Sequence, residues 1–222
     1  MDWQANCLAV IPCLNEEKAI GDLVKAVRRY LPNILVIDDG SRDATGKFAG
    51  DAGAIVLKHE QNQGKGSALK DGLAWGLQHG YTWALSMDGD GQHASEDIPA
   101  FFSAAMETSA VLVVGNRMHN ANGMPWLRRG VNLWMSRRLS KATGQFLPDS
   151  QCGFRLINLD AWRKVPMTTC RFEIESEVLV QFVRAGLPVR FVPIEVIYKG
   201  ERSKIHPLQD TLRWFRWWNR VN

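Results

Sequence analysis

Apolar residues occur along the chain in two alternating patterns, short continuous runs and stretches where they recur every three or four positions. The runs have the length of buried strands and fall at 7–11, 34–37, 54–57, 82–87 and 110–114. The periodic stretches between them predict helices at 20–31, 43–52, 67–80 and 99–108. Strands that alternate with such helices predict βαβ units, and therefore an α/β fold with a mostly parallel sheet.

No repeat or low-complexity linker interrupts this pattern, so we predict a single domain over 1–205 and a helical segment at 206–222. The 222 residues are 45% apolar and 23% charged, which excludes disordered, collagen-like and coiled-coil proteins. The four cysteines lack the spacing of a zinc site and are expected to be reduced thiols. We expect neither a signal peptide nor a membrane-spanning helix, and therefore a cytoplasmic protein.

Polar clusters follow four of the predicted strands. They are Asn15-Glu16, Asp38-Asp39, the stretch from Asp88 to Gln92, and Asn116-Arg117. Ligands of open α/β sheets bind beyond the carboxyl ends of the strands. The position of the clusters therefore predicts one ligand site at this edge of the sheet.

The most informative cluster is Asp88-Gly89-Asp90-Gly91-Gln92, because two carboxylates beside glycines can face one hard cation. Mg²⁺ and Mn²⁺ prefer such oxygen ligands and often bridge them to phosphates. An Asp/Gly-rich turn without metal is the alternative, but the buried strand before it and the other acidic strand ends favour the metal site. An EF-hand is excluded because Pro99 stands where its final Glu would be.

Two further clusters leave alternatives open. Asp39 suits a ribose hydroxyl or a base edge, while Ser41 or Asp43 next to it can cap the following helix. Lys65 lies in a glycine-rich loop without the spacing of a Walker motif, so it contacts either a nucleotide or solvent.

The net charge of +4, from 27 basic and 23 acidic residues, is a weak tilt toward anionic partners. Its distribution is more informative, because basic residues gather in the second half: Arg117, Arg128, Arg129, Arg137, Arg138, Lys141, Arg155, Arg202 and Lys204. A metal with several Arg or Lys residues is how proteins hold a diphosphate leaving group. We expect this role for Arg117, whereas Arg137, Arg138 and Lys141 are typical of a solvated helix face.

In this order, the motifs resemble those of the family 2 glycosyltransferases of the GT-A fold, in particular the branch of dolichol-phosphate mannose synthase. The matching stretches are Ile11 to Glu17, Asp38 to Ser41, Asn62 to Gly66, Asp88 to His93, Gly115 to Arg117, Asp149 to Arg155, Phe172 to Glu175, and Ser203-Lys204. The chain departs from the family pattern in having Asn116 instead of Ser and one extra residue before Lys204.

The resemblance implies roles for individual residues. It implies a nucleoside site formed by Pro12, Leu14, Glu16 and Asp39, and a Mg²⁺ or Mn²⁺ site formed by Asp88, Asp90 and Gln92. It implies that the donor diphosphate or acceptor phosphate is held by Arg117, Arg202 and Lys204, with Arg128 or Arg129 as the acceptor-phosphate arginine.

The expected activity is that of an inverting hexosyltransferase that moves a sugar from a nucleotide-sugar to a polyprenyl phosphate or other lipid-linked acceptor, with metal-assisted loss of the nucleoside diphosphate. A hydroxyl acceptor would need a general base, for which Glu175, then Glu173 and Asp149, are the candidates. A sugar nucleotidyltransferase is disfavoured because Pro12 and acidic residues stand where its basic loop would be. A non-catalytic anion-binding module, for example one that binds nucleic acid, is disfavoured by the intact Asp88-Gly89-Asp90.

The last residues predict an amphipathic helix with one basic face and one face rich in tryptophan. Arg213, Arg216 and Arg220 share the basic face, and Trp214 and Trp218 lie on the apolar one. Such a helix lies on an anionic membrane or packs on its own domain, and the sequence leaves both open. In the first case the protein is peripheral at the cytoplasmic face of a membrane. The oligomeric state stays open.

Overall fold

The structure, a computed structural model, describes residues 1–121, 123–197 and 207–221. The strands are β1 (Cys7–Cys13), β2 (Ile34–Asp38), β3 (Ile55–Lys58), β4 (Trp83–Ser86), β5 (Leu112–Asn116), β6 (Arg155–Asn158) and β7 (Val189–Pro193). The helices are α1 (Trp3–Asn6), α2 (Ile20–Val27), α3 (Thr45–Asp51), α4 (Lys65–Gln78), α5 (Ile98–Thr108), α6 (Trp126–Thr143), α7 (Leu159–Trp162), α8 (Ile174–Arg184) and α9 (Pro207–Val221), and a 3₁₀ turn, Ser95–Asp97, precedes α5.

The strands form one sheet in the order β3-β2-β1-β4-β6-β5-β7. Strand β6 is antiparallel to both of its neighbours, and the other pairings are parallel. The predicted mostly parallel α/β sheet is thus confirmed. Because β1, β2, β4 and β5 share one direction, the polar clusters that follow them all lie at one edge of the sheet.

The central strands are buried on both sides, as their nearly continuous apolar sequences require. Helix α4 covers one face at very close range. A Cβ on its Gly72 would lie 2.5 Å from the Val10 side chain and 2.7 Å from that of Ile37. This approach fixes the amino end of α4, and with it Lys65, at the edge of the sheet that carries the acidic clusters.

The predicted helix at 20–31 is four residues longer than the observed α2 (Ile20–Val27). The periodic stretch at 20–31 ends as a helix at Val27, and Leu31 is buried from the turn that follows. Pro32 comes next, and a residue before proline is driven away from helical geometry. The apolar spacing thus predicts correctly that Leu31 is buried, but it overestimates the length of the helix.

Helix α9 packs on the domain through tryptophan. Trp214 is 2% exposed and Trp217 is 6% exposed, while Leu212 and Phe215 on the same helix are exposed. The apolar part of α9 is therefore wider than its contact with the domain. Of the two alternatives for this segment, docking is observed, and part of the apolar face remains uncovered. Among the described residues, no helix is both long and apolar enough to cross a membrane.

Candidate active site

The turn after β4 carries the two aspartates of the predicted metal site. A Cβ at Gly89 would collide with the Cys13 sulfur of β1, so only glycine allows the turn to lie this close to the neighbouring strand. Asp90 closes the turn by accepting a hydrogen bond from the backbone N–H of Gln92 at 3.0 Å. Both carboxylates are consequently held at the carboxyl end of β4.

Lys65 at the start of α4 links this turn to α8. Its Nζ lies 2.5 Å from Asp88 Oδ1 and 2.8 Å from Glu175 Oε1. The second carboxylate oxygen of Glu175 lies 2.9 Å from Arg155 Nη2. A Cβ at Gly153 would meet both Asp88 and Lys65, so the absence of a side chain there leaves room for this ion pair. Four charged groups from four parts of the chain therefore form one network.

The network affects the two aspartates in opposite directions. Burial alone would raise the pKa of Asp88, but the charge and hydrogen bond of Lys65, together with the neighbouring His93 and Arg117, outweigh it and lower the pKa well below the ordinary value. Burial and the negative charge of Asp88 raise the pKa of Asp90. The charged form of Asp90 is therefore disfavoured in spite of the nearby Lys65 and His93, and a bound cation would favour it.

The donor set fits a Mg²⁺ or Mn²⁺ ion shared with a ligand. Among the residues that the structure describes, no group of three or more His, Cys, Asp or Glu side chains is arranged to hold a metal alone. Mg²⁺ commonly uses one or two carboxylates and takes its remaining ligands from phosphates and water. Asp88 and Asp90 match that pattern, and Gln92, which is half-buried beside them, stays a prediction as a further ligand.

Arg117 follows β5 and forms a two-point contact with Asp149. Its Nε donates to Oδ2 at 2.8 Å and its Nη2 to Oδ1 at 2.9 Å. Asn132 of α6 donates to the same carboxylate at 3.0 Å. Burial would raise the pKa of Asp149, but the charge of Arg117 and the hydrogen bonds from Arg117 and Asn132 together outweigh it and lower the pKa to about 2. A guanidinium has five N–H donors, so this contact leaves others to meet a phosphate.

The loops after β1 and β2 are joined where the nucleoside is expected. The backbone N–H groups of Asn15 and Glu16 donate to Ser41 Oγ at 2.9 Å and Thr45 Oγ1 at 2.7 Å. Pro12, Leu14 and Glu16 lie here, each partly exposed. Their assignment as nucleoside-binding residues stays a prediction that this placement suits.

Asp39 is buried inside the same region and already has several partners. Its Oδ1 accepts from the backbone N–H of Gln63 and lies 2.8 Å from His59 Nδ1, and its Oδ2 accepts from the N–H of Gly64. Asp39 thus shapes the glycine-rich loop before Lys65. The sequence did not indicate His59, because a single histidine after a strand carries no recognisable pattern.

The other predicted basic residues are spread apart. Arg128 is half-buried and lies one helical turn before Asn132, on the face of α6 that reaches Asp149, whereas Arg129 is exposed on another face. Arg155 is fully buried, with its Nε donating to the carbonyl of Cys152. Of the two candidates on α6, the placement favours Arg128. Arg202 and Lys204 lie outside the described residues.

Glu175 and Glu177 of α8 both face inward. The two oxygens of Glu175 face the cations of Lys65 and Arg155. Glu177 accepts hydrogen bonds from four donors, the backbone N–H and hydroxyl groups of Thr168 and Thr169, all within 3.1 Å. The sequence made Glu175 a candidate general base. It did not indicate that Glu177 fixes the loop before the helix.

An apolar groove lies between α6 and α9. It is lined by Trp126, Leu127, Gly130, Val131, Trp134, Thr211 and Phe215. Trp126 is 84% exposed, which is unusual for so large an apolar side chain. The same helix carries Arg128 on a different face, so the groove and the charged site share one scaffold.

Comparison with known proteins gives consistent results. The family described as "Glycosyl transferase family 2" matches residues 8–165. The chain is 32% identical over 212 residues to the UDP-N-acetylglucosamine–dolichyl-phosphate N-acetylglucosaminyltransferase of Methanococcus voltae, covering 85% of this chain and 84% of that protein. It is also 32% identical over 209 residues to the undecaprenyl-phosphate mannosyltransferase of Micrococcus luteus, covering 86% of this chain and 83% of that protein.

Among solved structures, the fold is similar to that of glucosyl-3-phosphoglycerate synthase from Mycobacterium tuberculosis, which was crystallised with Mn²⁺, UDP-glucose and phosphoglyceric acid. The TM-score is 0.74 at 21% identity, over 95% of this chain and 76% of that one. At this identity the likeness concerns the fold alone, and it confirms the predicted GT-A architecture.

Proposed function

The chain belongs to the family 2 glycosyltransferases, and from this we propose that it transfers a sugar from a nucleotide-sugar to the phosphate of a polyprenyl phosphate, with inversion at the anomeric carbon. In this reaction an oxygen of the acceptor phosphate forms a bond to the anomeric carbon. The bond from that carbon to the donor diphosphate breaks, and its electron pair leaves with the diphosphate.

The observation that carries the choice of acceptor is the apolar groove between α6 and α9. It is open, its walls are apolar, and Trp126 and Leu127 extend from its rim into solvent. An exposed apolar surface of this kind marks a binding site for an apolar partner. We assign it to the isoprenoid chain, whose phosphate would then reach the part of α6 that carries Arg128.

The donor side follows from the charges at the edge of the sheet. We assign Asp88 and Asp90, with Gln92, to a Mg²⁺ or Mn²⁺ ion, in agreement with the Mn²⁺ and UDP-glucose bound to the structural relative. When bound, the cation supplies neutralisation of the charge that grows on the departing diphosphate. Arg117, held in orientation by Asp149, would donate hydrogen bonds to the same group.

The surroundings of Glu175 also favour a phosphate acceptor. A general base must approach the acceptor proton, but both oxygens of Glu175 face Lys65 and Arg155 inside the protein. We therefore assign Glu175 to charge balance. A phosphate is already ionised near neutral pH and needs no base, whereas a hydroxyl acceptor does.

Contact with a membrane surface follows from the same region. Leu212 and Phe215 of α9 are exposed beside the groove, and Arg216 and Arg220 of the same helix are exposed on its basic face. An apolar strip next to basic residues suits peripheral binding to anionic lipid. We propose that α9 is docked by its tryptophans and touches lipid through this strip.

The test is an acceptor screen with the full chain, Mn²⁺ and a panel of UDP- and GDP-sugars. We expect release of the nucleoside diphosphate to depend on undecaprenyl or dolichyl phosphate, and the product to have the anomeric configuration opposite to that of the donor. The free polyprenol and 3-phosphoglycerate serve as controls. Transfer to either control in preference to the lipid phosphate would contradict the proposal.

A matched pair of variants tests the groove. Trp126→Glu should raise the KM for the lipid phosphate by about tenfold or more, because it places a charge where the chain would lie. Phe146→Glu introduces the same charge at an aromatic side chain that is 80% exposed and does not line the groove. Equal effects of the two substitutions would rule out the groove as the chain site.

A further inference from the structure

A continuous series of hydrogen bonds connects the C-terminal helix to Arg117. At its outer end, the indole Nε1 of Trp214 donates to Ser176 Oγ of α8 at 2.8 Å. Gln151 donates through Nε2 to the same oxygen at 2.7 Å and to Ser150 Oγ at 3.0 Å. Helix α9 is thus linked, through Ser176 of α8, to the segment that precedes β6.

The series continues along α6. Ser136 Oγ lies 3.1 Å from Ser150 Oγ and 3.3 Å from Asn132 Oδ1. Asn132 in turn donates to Asp149, the carboxylate that orients Arg117. Six hydrogen-bonded residues therefore connect Trp214 of the C-terminal helix to Arg117: Ser176, Gln151, Ser150, Ser136, Asn132 and Asp149.

Nearly all of these groups are buried. Ser176, Ser150 and Asp149 have no exposed surface, Ser136 and Asn132 have almost none, and Gln151 is half-buried. A buried polar group that loses its partner cannot turn to water instead, so the loss of one donor shifts its neighbours. The series can therefore carry a change in α9 to the segment that holds Asp149.

The backbone of that segment depends on the same side chains. The N–H of Ser150 donates to Ser136 Oγ, the N–H of Gln151 to Asp149 Oδ1, and the N–H of Arg117 to Asp149 Oδ2. These three amides report on whether the series is intact.

Trp217 provides the contrast. It lies on the same helix and is also buried, but its indole nitrogen has no hydrogen-bond partner among the described residues. Substitutions at the two tryptophans can therefore distinguish the effect of packing α9 on the domain from the effect of the hydrogen bond made by Trp214.

We propose that Trp214 is a positioning residue: its indole N–H, acting through Ser176 and Gln151, fixes the segment at 149–151 and thereby the orientation of Arg117. Helix α9 is then a structural support of the active site in addition to any contact with lipid. Its effect on catalysis rests on the proposed role of Arg117, but the coupling between α9 and this segment does not.

Hydrogen exchange on the full-length variants tests the coupling without any substrate. Trp214→Phe keeps an aromatic ring and removes the donor, and Trp217→Phe makes the same change at an indole that has no hydrogen-bond partner in the described part of the chain. We expect Trp214→Phe to speed exchange of the Arg117, Ser150 and Gln151 amides by about fivefold or more, and Trp217→Phe to change them by less than about twofold. Equal effects of both variants, or faster exchange in α9 alone, would overturn the proposal.

A second variant, at Gln151, interrupts the series of hydrogen bonds in the middle. It keeps the proposal testable if Trp214→Phe folds poorly. Gln151→Met should speed exchange of the same three amides and leave that of α9 unchanged. Combining it with Trp214→Phe should add little further, because both changes break one series. Simple addition of the two effects would contradict the proposed path.

Activity provides the last readout. For whichever nucleotide-sugar is used by the wild type, Trp214→Phe should lower kcat about three- to tenfold, with an unchanged KM for the lipid phosphate and an unchanged melting temperature relative to Trp217→Phe. Faster exchange with unchanged kcat would leave the coupling standing and remove its link to Arg117. Unchanged exchange would refute the coupling whatever the acceptor proves to be.

Discussion

Lys65 and Asp88 form an ion pair in which Nζ lies 2.5 Å from Oδ1, and the same Nζ lies 2.8 Å from Glu175. Removing the ammonium group would leave two carboxylates without their shared partner in a mostly buried site. We expect Lys65→Met to lower the free energy of unfolding by about 3–5 kcal/mol, as measured by urea denaturation.

Two controls accompany this prediction. Lys70→Met changes a half-buried lysine of the same helix whose Nζ lies 3.6 Å from the exposed Cys170 sulfur, and it should alter stability by no more than about 0.5 kcal/mol. The double variant Lys65→Met/Glu175→Gln removes one of the stranded charges and should regain part of the loss. A loss no larger than that of Lys70→Met would mean that the pair contributes little.

Gly153 tests the space around this ion pair. A Cβ there would lie 2.5 Å from Asp88 Oδ1 and 2.8 Å from Lys65 Nζ, closer than such atoms tolerate. We expect Gly153→Ala to displace both groups and to lower kcat by about tenfold or more while the far-UV circular dichroism is retained.

Gly50 is the matched control for that substitution. It is exposed on α3, where a Cβ would lie no closer than 3.9 Å to any neighbour, the side chain of Val56. Gly50→Ala should leave kcat unchanged and stabilise the protein by up to about 1 kcal/mol, because alanine favours the helix. If Gly153→Ala had the kcat of the wild type, the close approach of Gly153 to the ion pair would not matter for catalysis.

The sequence predicted the acidic edge of the sheet because that information is local. Asp88 and Asp90 follow a buried strand directly, and parallel strands bring such turns together. The pairing of Lys65 with Asp88 and Glu175 is not local. It depends on how closely α4 and α8 approach the sheet, and this distance is set by the packing of many side chains.

The order of the strands in the sheet also could not be predicted from the sequence. Strand β6 lies between β4 and β5 although it follows both in the chain, and its first residue, Arg155, interrupts the apolar run that would have marked it. The docking of α9 was left open for a similar reason. The apolar periodicity of the segment predicts the apolar face of the helix. It does not predict the hydrogen bond from Trp214 to Ser176, because these residues are far apart in the sequence.

Asp149 predicts how stability depends on pH. Its pKa is lowered to about 2 in the folded protein, below the ordinary value of 3.8. A lowered carboxylate pKa stabilises the fold above the ordinary value, and this contribution is lost as the pH falls from 3.8 toward 2. Asp149→Asn should therefore cost about 3–5 kcal/mol at neutral pH, and less as the pH falls below about 4.

Urea titrations at several pH values measure this difference. Asp22→Asn is the control, because Asp22 is an exposed partner of Lys25 and its removal should have little effect at any pH. A gap between wild type and Asp149→Asn that stays constant down to about pH 2 would contradict a stabilising ion pair with Arg117.

The cysteines should differ in reactivity. Burial raises the pKa of the Cys152 thiol to about 12 and raises that of Cys7 as well, and Cys13 is also buried, whereas Cys170 is exposed. Because the thiolate is the reactive form, iodoacetamide should modify Cys170 first and the other three only on unfolding. Mass spectrometry of time points measures the order, and Cys170→Ser should remove the fast phase. Early labelling of Cys152 would contradict its burial.

Asp90 predicts the dependence of the reaction on metal. Burial and the charge of Asp88 raise the pKa of Asp90. A divalent cation bound by both carboxylates would therefore offset the repulsion between their negative charges. We expect EDTA to abolish transfer, Mn²⁺ or Mg²⁺ to restore it, and Asp90→Asn to lower kcat by about 10²–10³-fold at saturating metal. Asp97→Asn is the control, since Asp97 accepts from the N–H of Glu195 at 2.8 Å and an amide oxygen can replace it. Turnover near the wild-type rate in Asp90→Asn, or activity that persists in EDTA, would exclude a metal at this turn.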